Sequence, residues 1–162
     1  IMIYGLIIGY AKFTDEKRCM WLEKFIPHID NWAICDSCCM TYKWMKKNPE
    51  FWWGYLEECI QKDTEYSIRI AVVSMLAHFV NEEYIEKILS YCDQICHDGY
   101  YVKMAVAWAV SVCFVKYPAV TRSFLKENHM DAFTQKKAIQ KICDSYRVTK
   151  EEKQEVRRYK KC

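Results

Sequence analysis

The sequence predicts an all-α fold, an α–α superhelix built by stacking helix pairs. Three observations lead there. Only 4 Gly and 3 Pro occur in 162 residues, too few turn residues for an all-β sandwich. No segment sustains the period-2 alternation of a half-buried strand. A short motif also recurs at the length of a two-helix repeat. Ser67-Ile-Arg69-Ile-Ala71-Val, Tyr101-Val-Lys103-Met-Ala105-Val and Thr134-Gln-Lys136-Lys-Ala138-Ile each place a cation two residues before an Ala, with an aliphatic next. Arg69 to Lys103 is 34 residues and Lys103 to Lys136 is 33, the period of an α-solenoid whose pairs hide their apolar faces only by stacking. An irregular helical bundle with chance similarity is the alternative.

The helices follow in order from their punctuation. The chain opens in a first helix that carries Gly5 and Gly9 at i, i+4, on one face, with Ile3, Leu6, Ile7 and Ile8 around them. With no strand before them, these glycines read as a close-packing surface and not as a phosphate loop. Thr14-Asp15 caps a run to Ile26, stopped by Pro27, and Asp30 or Asn31 caps Trp32 to Lys46. Asn48-Pro49 opens a helix to about Gln61, with Pro at a first helical position. Thr64 starts a run to Val80, Asn81 caps one to about Cys96, and Asp98-Gly99 breaks the chain before Tyr100 to Lys116. Pro118 begins a helix ending near Asn128, and Asp131 precedes Ala132 to Tyr146. Thr149-Lys-Glu-Glu152 has the form of a capping box.

At this length, residues 1–162 read as a single domain, large enough to bury a core. The chain opens at Ile1 inside an apolar helical run, so further helices are expected upstream. A hydrophobic share of 52% and a charged share of 28% are those of a globular protein. The formal charge of +3 does not by itself indicate nucleic acid. From Arg147 to Cys162, however, seven Lys or Arg face three Glu, and Arg157-Arg158-Tyr-Lys160-Lys161 could meet phosphate or be a solvated end. The ten cysteines include Cys39, Cys59, Cys113 and Cys143 inside apolar helical runs, where thiols act as small hydrophobes. No signal peptide is recognisable, and the longest apolar stretch, Met104 to Val115, is too short to span a bilayer. A reduced, cytoplasmic protein without membrane association is the expectation.

Chemistry concentrates in Asp30-Asn-Trp32-Ala-Ile-Cys-Asp36. On a helix, the Trp32 indole and the Asp36 carboxylate point the same way, one turn apart. Asp36 is set among Ile34, Cys35, Cys38, Cys39 and Met40, where a charge is costly without a partner or a task. Arg69 interrupts an apolar helix and suits a phosphate or a carboxylate. Trp108 is the one bulky ring in Ala105-Val-Ala-Trp-Ala-Val. If helix pairs stack in register, these four residues converge from the inner helices of successive repeats. Singly, each has a plain structural explanation: a core Trp, a half-buried ion pair. A zinc site on Cys35-Asp-Ser-Cys38 would need a second pair, for which Cys92, Cys96 and His97 are the only candidates and nothing in the sequence brings them near. His28, His78, His97 and His129 stand in no recognisable nucleophile motif. Trp44 and Phe51-Trp-Trp53 read as a core seam rather than as base-stacking rings.

The chain resembles the DNA alkylation repair proteins, AlkD-like DNA glycosylases built from HEAT-like repeats. The resemblance runs over essentially its whole length. It is strongest in Asp30 to Ser37, in Arg69-Ile-Ala and in Tyr101 to Ala109, and Phe133 to Arg147 is also family-like. It implies a catalytic Asp at Asp36, active-site indoles at Trp32 and Trp108, and a phosphate-contacting Arg at Arg69. Lys103 and Lys136, at the matching repeat positions, are the further DNA-binding candidates. The implied activity is excision of N3- or N7-alkylated purines from duplex DNA. Neither a metal nor another cofactor is implied, and no obligatory protein partner. The alternative is a non-catalytic HEAT-like solenoid that binds nucleic acid or protein through its concave face.

Overall fold

A computed structural model describes residues 1–160. Every regular element among them is helical: α1 (Met2–Tyr10), α2 (Asp15–Phe25), α3 (Trp32–Cys39), α4 (Pro49–Gln61), α5 (Glu65–His78), α6 (Ile85–Gln94), α7 (Tyr100–Lys116), α8 (Pro118–Lys126), α9 (Ala132–Asp144) and α10 (Lys150–Val156). Short 3₁₀ turns cover Ile26–His28, Lys43–Lys47 and Arg157–Tyr159. The chain forms two compact units, Ile1–Phe79 and a second that begins at Val80. None of the described helices is long and apolar enough to cross a membrane.

The starts of the helices obey their caps. Thr14 accepts from the Lys17 amide and Asn31 from that of Ile34. Asp131 accepts from the Thr134 amide, while Thr64–Ser67 and Thr149–Glu152 form reciprocal capping boxes. Pro49 and Pro118 occupy first-turn positions, where the missing N–H costs nothing.

In the first unit α3 packs on both α1 and α5, and α4 packs on α5. A Cβ at Gly5 would overlap Cys38 Sγ and the Phe25 ring, and one at Gly9 would overlap Thr41 Oγ1. The two glycines therefore let α1 lie close against α3 and the turn that follows it. Beneath, Trp44, Trp52 and Trp53 are buried, with the Trp44 and Trp52 rings 4.4 Å apart. Trp52 Nε1 donates to Asp15 Oδ1 at 3.2 Å, which satisfies the indole's polar end. Phe51, by contrast, remains 40% exposed.

In the second unit α7 packs most extensively on α9. Ala105 and Ala109 of α7 and Ala138 and Ile142 of α9 are all buried. Arg122 of α8 reaches Glu152 at 3.5 Å and Glu155 at 3.0 Å, tying α8 to α10.

Several helix ends differ from the sequence expectation, and one matters. The helix expected over Trp32–Lys46 stops at Cys39. The Thr41 hydroxyl donates to the Cys38 carbonyl at 2.7 Å. Tyr42 then turns inward, fully buried, to lie 5.1 Å from the Trp44 ring. A straight helix would carry Tyr42 away from that core. Elsewhere, α6 begins at Ile85 because Asn81 caps a turn over residues 81–84, accepting from the Glu83 and Tyr84 amides. The helix expected to reach Tyr146 ends at Asp144, which leaves Tyr146 and Arg147 in a loop. Of the basic tail, Lys161 lies outside the described residues.

The described cysteines are free thiols. Burial pushes Cys38, Cys59 and Cys113 up to about 12. Cys92 is raised well above the ordinary range by burial, and Cys35 by its hydrogen bond with Cys39 and then by burial.

Candidate functional site

In the first unit, helix α3 carries both residues of the leading pair. Asn31 caps it and sets Trp32 at its first position. Trp32 is 52% exposed, an unusual state for an indole in an apolar helix. One turn later comes Asp36, whose neighbours Cys35, Cys38 and Cys39 are buried. Helix α3 thus hides its thiol face and presents the ring and the carboxylate from the other positions.

Arg69 approaches from α5. Its Nε donates to Asp36 Oδ1 at 3.0 Å and its Nη2 to Asp36 Oδ2 at 2.8 Å, a bidentate fork across 33 residues of sequence. The side chains are 6% exposed for Arg69 and 14% for Asp36. The guanidinium is thus largely enclosed, and its planar fork fixes the carboxylate's orientation. Asp36 still has a route to solvent. Each of its oxygens keeps a second lone pair beyond the one Arg69 uses, so it can accept from a water or a hydroxyl.

The other end of the α3–α5 contact is polar as well. His78 Nε2 lies 2.7 Å from the Cys39 carbonyl. A carbonyl only accepts, so Nε2 carries the proton and Nδ1, buried without a partner, is bare. Burial first, and then the Lys46 and Lys43 charges, hold His78 below its ordinary value and keep it neutral. Those lysines belong to an exposed group, Lys43, Lys46 and Lys47, on the 3₁₀ turn that follows α3. The sequence reading does not single them out. The signal was present: no acidic residue occurs between Asp36 and Glu50.

The remaining candidates belong to the second unit. Trp108 on α7 is half-buried and lines a cleft with residues of α9 and the loop after it. Lys103 Nζ lies 3.5 Å from Asp98 and 4.0 Å from Asp131, so its charge is shared between two carboxylates. Lys136 is exposed.

A family model described as DNA alkylation repair enzyme matches residues 3–142. The chain belongs to that family. Comparison with curated proteins and with solved structures gives no match. A role in DNA repair follows for this alkylation repair family member, with DNA as its substrate. The matched span contains Trp32, Asp36, Arg69, Lys103, Trp108 and Lys136.

Proposed function

We propose that the protein is a monofunctional DNA glycosylase that excises N3- or N7-alkylated purines from duplex DNA. The observation that carries this reading is the oriented, partly exposed carboxylate of Asp36, one helical turn from the half-exposed Trp32. A purely structural ion pair would explain the Arg69 fork. It would not require an indole left in water beside it.

The chemistry asks little of the protein. Alkylation at N3 or N7 makes the purine cationic. When the bond from the sugar C1′ to N9 breaks, its electron pair returns to the ring, and the base leaves neutral without a general acid. The sugar is left with oxocarbenium character. Asp36 stabilises that charge and orients a water to attack C1′, from which one proton departs to solvent. Arg69 acts through Asp36, holding both oxygens in register before the substrate arrives. The Trp32 face adds cation–π attraction to the developing sugar cation. In the second unit we assign Trp108, Lys103 and Lys136 to the sugar–phosphate backbone, contacts that position DNA without reading its sequence.

The test is Asp36→Asn. It should abolish release of 7-methylguanine from methylated duplex DNA under single-turnover conditions, while duplex binding changes little. A parent protein that binds DNA but releases no base would instead support the non-catalytic reading.

A further inference from the structure

Helix α7 presents more than Trp108. Trp108, Val112 and Val115 fall at i, i+4 and i+7, one face of the helix, and all three are only half-buried. They floor a cleft of about 490 Å³ whose rim holds Lys116, Lys141 and Arg147. Tyr146 lies at the same rim and is fully exposed, on the loop that begins where α9 stops at Asp144. One carboxylate, Asp144, also lines it.

An apolar floor with a ring at its edge and three cations around it fits a ligand that is flat and apolar at one end and anionic at the other. A fully paired duplex keeps its ring faces stacked inside, so its sugar–phosphate surface can meet Trp108 but supplies no flat ring to lie against Tyr146, Val112 and Val115. An unpaired nucleotide supplies both parts. We infer that this cleft is a binding site for a single extrahelical nucleotide of the bound DNA, its phosphates on Lys116, Lys141 and Arg147 and its base against Tyr146 and the α7 floor. Stacking on an aromatic side chain accepts any base, and Asp144 can accept from an exocyclic amine. This rests on the reading that DNA is the ligand, but it requires no excision.

The test uses the full chain and undamaged DNA: a fully paired duplex, and the same duplex with one additional unpaired 2-aminopurine nucleotide. Binding is followed by anisotropy of an end label. The protein should bind the bulged duplex roughly tenfold more tightly than the paired one, and 2-aminopurine emission should fall on binding as its ring stacks. Tyr146→Ala, at a side chain already in solvent, should remove both the preference and the quenching while leaving affinity for paired duplex unchanged. Lys141→Gln with Arg147→Gln should weaken binding of the bulged duplex and flatten its log–log salt dependence by about two phosphate contacts. Equal affinity for the two duplexes would overturn the inference. So would a Tyr146→Ala variant that weakens both alike, or one that keeps the preference. Base release from methylated duplex is measured separately. Its absence alongside a retained bulge preference would remove the glycosylase reading and leave this site standing.

Discussion

Arg69 and Lys103 occupy the same place in a repeated motif, two residues before a buried Ala on a long apolar helix, and the structure puts them to different uses. On α5, Arg69 is enclosed and spends its fork on both oxygens of Asp36. On α7, Lys103 is 24% exposed and reaches Asp98 and Asp131 only at 3.5 and 4.0 Å. The planar guanidinium has a geometry that can hold a carboxylate still. The ammonium is a point charge that settles loosely between two acids. The recurring sequence motif supplies a cation in both helices. The residue type decides whether that cation orients a partner or merely neutralises one.

The comparison can be broken most directly at Arg69. Arg69→Met should lower the unfolding free energy in urea by about 3–5 kcal/mol, because a partly buried Asp36 is left without its counter-charge. A loss below about 1 kcal/mol would show that the fork does not hold α3 to α5.

A smaller effect is expected at the opposite end of that contact. His78 is neutral when folded and has an ordinary value of 6.5 when unfolded. The unfolded chain therefore binds the extra proton first. The stability is fully present above pH 6.5 and is lost as pH falls towards the lower folded value, by at most about 1.4 kcal/mol per pH unit for one proton. Melting across this range should show the decline, and His78→Gln, whose amide can still donate to the Cys39 carbonyl, should flatten it. An unchanged pH slope in the variant would remove His78 from the account.

Lys103→Met should change least. Its two long contacts are worth about 1 kcal/mol or less. A stability loss as large as that at Arg69 would erase the distinction between the two positions.

Much of the fold was legible because helix starts are local events. Thr14, Asn31, Thr64, Asp131 and Thr149 cap helices as their spacing indicates, and the buried Trp44, Trp52 and Trp53 follow the apolar seam. Helix ends were harder to read. The stop at Cys39 depends on Tyr42 reaching the Trp44 ring, a packing event that no local pattern records. The site was legible as residue types and spacing. That Asp36 would engage the Arg69 fork with both oxygens became visible once α3 lay against α5. Tyr146 was hidden by an expected helix that runs two residues too far.

Agents that methylate purines also attack sulfur, and they react with the thiolate far faster than with the thiol. Holding Cys38, Cys59 and Cys113 near 12, and Cys35 and Cys92 higher than usual, keeps those sulfurs protonated and walled off by side chains. These five buried thiols are therefore poor nucleophiles towards an electrophile in the surrounding solvent.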